Sequence, residues 1–154
     1  MPTSTTQAST TQTYHLFIRA TAQQIWNALT RPELTSKYLY GAQVETTGEA
    51  GSPFRYYSPD RSALWGDERV LDAEAPHRLV VGYRGLYDPE LAAEKPSRVT
   101  WRIEPGEDGV SLLTVVHDRL EGAPKTARRV AGPGWMRVLS GLKTLLETGE
   151  PLNT

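Results

Sequence analysis

His117 is the histidine whose place in the sequence best suits acid–base chemistry. It ends a predicted strand in which Leu113, Val115 and His117 alternate onto one apolar face. An imidazole with its ordinary pKa near ~6.5 can donate or accept a proton at neutral pH. Asp118 points to the opposite face, so the two residues do not form a ready dyad. We favour a hydrogen-bonded structural histidine and keep a catalytic acid or base as the alternative.

Aromatic residues on several separate segments form a second candidate site. A tyrosine combines apolar area with one polar group, which suits a pocket that orients a ligand of mixed character. The residues that we expect around a ligand are, in the wall, Tyr83, Trp101, His117 and Trp135, and, toward the mouth, Tyr38, Tyr40 and Tyr87. Packing in the core is the alternative for each of these rings.

Two groups of charged residues could also bind a ligand. Along residues 67–69 the side chains alternate, so either Glu68 or its two neighbours face inward, where a paired charge would make an anchor. Lys125, Arg128 and Arg129 cluster on a predicted short helix and could meet an acidic partner or a phosphate. Solvated faces are the commoner outcome for such residues, and we favour them here.

Composition excludes several classes of function. The chain has 154 residues, of which 38% are apolar, and a formal charge of −1, so no positive field attracts a nucleic acid. It has no cysteine and no closely spaced set of histidine and carboxylate ligands, which argues against a metal site. No apolar run is long enough to cross a membrane. We expect no cofactor, no nucleic acid and no membrane partner.

The polar start of the chain separates from the rest. Residues 1–12 are mostly Thr, Ser and Gln, without the basic start and apolar run of an export signal, so we expect a disordered tail and a cytoplasmic protein. Residues 13–152 then form a single domain.

The elements that must position the candidate residues begin with a capped helix. Thr21 and Gln24 form a capping box, and Ile25 and Leu29 share one face of the helix that follows. A second short helix starts at Pro32. Near the end of the chain, residues 133–148 carry a broad apolar stripe and predict one long helix.

Between these helices the sequence predicts a run of strands. Alternating or β-branched stretches bounded by turn residues lie at residues 14–19, 42–47, 53–58, 64–74, 78–84, 97–104 and 110–118. Residues 85–96 form a long loop with one helical turn near Pro89, a kind of connection that often rims a site. This order predicts an α+β fold with six or seven antiparallel strands and helices on one face.

Several of these segments resemble a known family. Residues 18–34, which read IRATAQQIWNALTRPEL, are similar to the opening of the Aha-type branch of the START-like superfamily, the homologues of the activator of heat-shock protein 90 ATPase. The resemblance continues in the same order along nearly the whole chain, at residues 51–53, 70–79, 88–91, 97–100, 116–118, 134–135 and 139–149. The resemblance implies a helix-grip fold, in which a curved sheet wraps the last helix and leaves an elongated apolar cavity.

Relatives of this superfamily include lipid carriers, polyketide cyclases, plant hormone receptors and chaperone activators, so fold alone does not give the function. The leading hypothesis is a protein that binds a small hydrophobic or aromatic ligand in the cavity, as a monomer or a homodimer. A cyclase-like or dehydratase-like enzyme that uses His117 or a tyrosine hydroxyl for proton transfer is the first alternative. An activator of a chaperone ATPase ranks last, because the polar tail is far shorter than the extra N-terminal domain of full-length eukaryotic activators.

Overall fold

The computed structural model describes residues 9–152. Its strands are β1 (Gln12–Ile18), β2 (Gln43–Thr46), β3 (Pro53–Tyr57), β4 (Leu64–Glu74), β5 (Arg78–Tyr83), β6 (Ser97–Pro105) and β7 (Ser111–Asp118). Its helices are α1 (Ala22–Thr30), α2 (Pro32–Thr35), α3 (Pro89–Ala92), α4 (Pro124–Val130) and α5 (Pro133–Thr148). The predicted α+β class is confirmed, and the count of strands is seven.

The strands form one antiparallel sheet in the order β1-β7-β6-β5-β4-β3-β2. Its pairing is interrupted twice, between Tyr56 and Tyr57 on β3 and between Val70 and Asp72 on β4. Extra residues of this kind bend a strand and increase its twist, so the sheet curves instead of lying flat. The curve produces a concave face that can hold a helix.

The long helix α5 fills much of that concave face. Its start is favoured by Pro133, whose missing N–H has no partner in a first helical turn anyway, and its end is marked by Gly149 in the left-handed conformation with φ 80°. Leu142, near the middle of the helix, is completely buried in the main core together with Ile103 and Leu113 of the sheet. The core therefore lies between the sheet and α5.

The first helix shows the predicted capping box in full. The Thr21 hydroxyl accepts a hydrogen bond from the Gln24 amide at 3.1 Å, and the Gln24 side chain accepts one from the Thr21 amide at 2.8 Å. Ile25 and Leu29 are buried, as their spacing predicts, and so is Trp26.

Strand β1 begins one residue before the predicted start of the domain. Of the predicted tail, residues 1–8 lie outside the described residues. Gln12, assigned to that tail, is the first residue of β1; it is buried, and its Nε2 donates to the Ala127 carbonyl at 3.0 Å. The residues next to Gln12 in the sequence do not predict this hydrogen bond, because Ala127 is distant in the sequence.

Within the described part of the chain, no helix combines the length and the apolar character that a membrane crossing needs. Across residues 9–152, no group of three or more His, Cys, Asp or Glu side chains could hold a metal ion.

A candidate ligand cavity between the sheet and the last helix

A cavity of about 470 Å³ lies between the sheet and α5. Its volume falls in the range of roughly 300–1,000 Å³ that is usual for sites of small molecules. Seven of its lining residues are tyrosine or tryptophan. The full lining comprises Leu39, Tyr40, Ala42, Tyr56, Trp65, Tyr83, Tyr87, Val99, Trp101, His117, Arg129, Val130, Gly134, Trp135 and Val138.

The wall of the cavity extends across three neighbouring strands, because alternate side chains of each strand face the same side of the sheet. Val99 on β6 pairs directly with His117 on β7, and Trp101 stands two residues further along the same face of β6. Tyr83 ends β5 opposite Ser97. Helix α5 closes the other side with Trp135 and residues of its next turn. The wall is thus made of rigid elements.

The imidazole of His117 is held at both nitrogens. Trp135 Nε1 donates to Nδ1 at 3.1 Å, and Nε2 lies 2.7 Å from the Ser97 hydroxyl. Because an indole N–H can only donate, Nδ1 must be the acceptor, and the proton of the neutral ring is on Nε2. Nε2 then donates to Ser97, and the Ser97 hydroxyl donates to the Tyr83 carbonyl at 3.2 Å. This chain of bonds fixes the tautomer.

Burial keeps this imidazole neutral. His117 is 1% exposed, and desolvation lowers its pKa to about 4, although the nearby Asp118 carboxylate opposes the change. A second proton would also place an N–H on Nδ1 against the indole N–H of Trp135 and break that bond. His117 is therefore neutral near pH 7, with both ring nitrogens in hydrogen bonds.

Asp118 is engaged on the other face of β7. Its carboxylate accepts two bonds from the Arg98 guanidinium, at 2.8 and 2.6 Å. These bonds hold the pKa of Asp118 below its ordinary value. As strand alternation predicts, no hydrogen bond joins Asp118 to His117 within the described residues.

The aromatic rings of the wall contact one another edge to face. The ring centroids of Trp101 and Trp135 are 5.5 Å apart, those of His117 and Tyr83 are 5.6 Å apart, and those of Tyr83 and Tyr56 are 6.1 Å apart. Such arrangements are favourable because the positive edge of one ring meets the negative face of the next. The rings therefore leave a preformed space with apolar walls.

Two tyrosines connect this wall to the mouth of the cavity. The hydroxyls of Tyr83 and Tyr87 lie 3.3 Å apart, and the Tyr87 ring also meets that of Trp65 at 6.0 Å. Burial raises the pKa of Tyr83 well above its ordinary value, so this hydroxyl keeps its proton. Tyr87 and Tyr40 are exposed at 41% and 62%, and Tyr40 has a φ of 55°, which is unusual for a residue other than glycine.

One arginine stands at the same mouth. Arg129 Nη2 lies 3.1 Å from Asp88 Oδ2, and the guanidinium carbon is 5.7 Å from the centre of the Tyr87 ring. Asp88 is itself fixed, because its other carboxylate oxygen accepts from the Glu90 amide at 2.8 Å and caps α3. Arg129 is the one charged residue in the lining of the cavity.

The match to a family model agrees with this architecture. The model described as AHSA1, activator of Hsp90 ATPase homolog 1-like protein, matches residues 19–147. The chain belongs to this family. The resemblance read from the sequence is thereby confirmed. No curated protein matches the sequence.

Several solved structures share the fold of this AHSA1-family chain. MLL2253 of Mesorhizobium loti is 23% identical with a TM-score of 0.70, and the match covers 89% of this chain and 96% of that one. The Aha1 dimer of Colwellia psychrerythraea is 16% identical with a TM-score of 0.69, covering 90% and 97%. DynU16, a protein in the dynemicin biosynthetic locus, is 20% identical with a TM-score of 0.68; the match covers 93% of this chain and 49% of DynU16. At these identities the likeness shows the fold alone.

The structure brings most of the sequence-predicted site residues to one place in the AHSA1 domain. Six of them line the cavity, namely Tyr40, Tyr83, Tyr87, Trp101, His117 and Trp135. Tyr38 does not. It is buried, and its hydroxyl donates to the Ala28 carbonyl of α1 at 2.6 Å, so it ties the two short helices to the core instead of facing the mouth.

Nine lining residues were outside the predicted set, and three of these, Tyr56, Trp65 and Arg129, carry an aromatic ring or a charge. Tyr56 and Trp65 lie on strands β3 and β4. Alternation along a strand predicts which side chains face inward, but not which residues of other elements lie opposite them. Arg129 was grouped with Lys125 and Arg128 as solvated, and only Arg129 of the three lines the cavity. Glu68 is not part of the lining either; its carboxylate lies 3.8 Å from Arg84.

Proposed function

We propose that this AHSA1-family protein binds a small apolar molecule with aromatic character in the cavity between the sheet and α5. The observation that carries the proposal is the space itself. The cavity opens at a mouth, and pockets of this kind, lined mainly by apolar and aromatic side chains with a few polar groups, are where proteins usually bind small molecules. A volume of about 470 Å³ walled by aromatic rings fits that description.

The edges and faces of the wall suit a flat ring system. Rings at different inclinations, such as Trp101 and Trp135 at 70°, can meet a planar guest both face on and edge on. The interplanar angle of His117 and Trp135 is 89°, and their hydrogen bond prevents either ring from rotating to fill the space. The cavity is therefore preformed, which limits the entropy lost when a ligand binds.

An enzyme that acts on the same kind of ligand is the second candidate. It is favoured by one neighbour, DynU16, which lies in a biosynthetic locus. The two bonds to the His117 ring argue against this residue as the acid or base, because neither nitrogen is free to meet a substrate. The other hydroxyl groups that could transfer a proton in the lining are those of Tyr40, Tyr56, Tyr83 and Tyr87.

The binding proposal is tested with N-phenyl-1-naphthylamine, an uncharged probe whose fluorescence rises in apolar sites. Val138 is buried and lines the cavity, so Val138→Phe should fill part of the space and weaken probe binding by about tenfold or more, since ~1.4 kcal/mol is enough for that change. Met136→Phe, at an exposed position of the same helix, is the matched control and should bind as the unmodified protein does.

Melting curves of both variants show whether each one folds. No saturable binding to the unmodified protein, or equal binding by both variants, would contradict the proposal. Native mass spectrometry of the purified protein, which detects a co-purified molecule by its mass, gives an independent answer.

A further inference from the structure

The polar side-chain groups that the cavity leaves without a partner can all donate a hydrogen bond, and the tyrosine hydroxyls among them can also accept one. In the described part of the chain, the Tyr56 hydroxyl has no hydrogen-bond partner. When one hydroxyl of the Tyr83 and Tyr87 pair donates to the other, the second O–H is left over. The lining contains no Asp or Glu, and the two nitrogens of His117 are engaged. A ligand with hydrogen-bond acceptors can therefore match each of these groups.

Arg129 adds a positive charge to these donors. Of its five N–H groups, Asp88 takes one, at 3.1 Å, and among residues 9–152 no other hydrogen bond from this guanidinium is formed. The guanidinium is held in place from two sides, because Asp88 is fixed as the cap of α3 and the Tyr87 ring lies 5.7 Å away. A planar guanidinium with free N–H groups matches a carboxylate in shape as well as in charge.

We propose that the ligand carries one carboxylate at the end of its aromatic body, and that Arg129 binds this carboxylate at the mouth while the rings enter the cavity. The inference rests on the proposed function and names the ligand class for that site. Arg129 supplies one positive charge and shares it with Asp88. It therefore matches a ligand with a single negative charge better than it matches a dianionic phosphate. The left-over hydroxyl of the Tyr83 and Tyr87 pair is the second donor to the carboxylate.

The test compares two probes of the same shape, 2-naphthoate and 2-naphthamide, by isothermal titration calorimetry at pH 7.5. The unmodified protein should bind the carboxylate about tenfold more tightly than the amide, the size expected when one hydrogen bond becomes charge-assisted. Arg129→Gln should remove this preference and leave the affinity for the amide unchanged. Arg128→Gln removes an equal charge from the same helix, at a position outside the lining, and should keep the preference.

A third variant, Asp88→Asn, should have the opposite effect. Asp88→Asn keeps an oxygen that can cap α3 but removes the negative charge that competes for Arg129. It should bind the carboxylate several-fold more tightly than the unmodified protein does, because charge competition at short range is strong.

The outcomes separate this inference from the function on which it rests. If both probes bind with equal affinity, or if Arg128→Gln and Arg129→Gln act alike, the cavity binds ligands and the carboxylate inference is wrong. The same holds if Arg129→Gln weakens both probes together, since the residue would then shape the cavity without recognising charge. If neither probe binds the unmodified protein, the proposed function itself fails.

Discussion

Replacement of His117 by glutamine should change how stability depends on pH. Glutamine can accept from Trp135 with its oxygen and donate to Ser97 with its nitrogen, so both hydrogen bonds of the imidazole have a substitute. It cannot take up a proton. The variant should therefore fold at pH 7 and differ from the unmodified protein mainly at lower pH.

The size of the effect follows from the lowered pKa of His117, about 4 against the ordinary 6.5. Since the unfolded chain then binds a proton more readily than the folded one, stability falls as the pH decreases from about 6.5 and levels off below about 4. At ~1.36 kcal/mol per pKa unit the whole loss is about 3 kcal/mol, and about 2 kcal/mol of it falls between pH 7 and pH 5.

Urea unfolding at pH 7 and pH 5 measures this loss. The free energy of unfolding of the unmodified protein should drop by about 2 kcal/mol more than that of His117→Gln, and the comparison cancels the carboxylates that both share. His15→Gln, at an exposed position of β1, is the control and should follow the unmodified protein. If the unmodified protein and His117→Gln showed equal pH dependence, the imidazole would not be a neutral group that is hydrogen-bonded at both nitrogens.

Three further substitutions test the packing. Leu142→Ala should lower the free energy of unfolding by about 2–5 kcal/mol in urea, because it opens a cavity in the core; a loss below ~1 kcal/mol would show that α5 does not pack as described. Tyr38→Phe removes the hydrogen bond to Ala28 and should lower the free energy of unfolding by about 1 kcal/mol without changing probe affinity. Weaker probe binding would show that Tyr38 belongs to the site. Glu94→Ala removes the acceptor that caps α4 at the Thr126 amide and should lower stability by about 1 kcal/mol, and an unchanged melting temperature would contradict that role.

Local sequence was sufficient wherever a feature depends on near neighbours. The capping box of Thr21 and Gln24 joins residues three positions apart, and the structure forms both of its bonds. The turn and strand signals around residues 64–74 and the proline and glycine that limit α5 gave the observed bounds of those elements. Alternation along β7 correctly turned His117 inward and Asp118 outward.

Loop residues were harder, because no period constrains them. Tyr38 and Tyr40 are two positions apart and were both expected at the mouth, yet one is tied to α1 and the other is exposed with a positive φ. Arg129 looked like its charged neighbours on α4. Arg129 differs from them in its contacts with Asp88 and Tyr87, which lie in the loop before β6. These two residues are about forty positions away and meet Arg129 only in the folded chain.

The sequence by itself therefore determined the elements, their order, the antiparallel sheet with a long final helix, and the inward face that carries His117 and Trp101. The tertiary structure decided which groups meet: Ser97 and Trp135 on the two nitrogens of His117, and Asp88 beside Arg129. The physical reason is that helix and strand patterns record which side of an element is buried, at a range of a few residues. Hydrogen bonds and charges in a cavity join side chains from distant elements, whose distances are set only by the curvature of the sheet and the packing of α5.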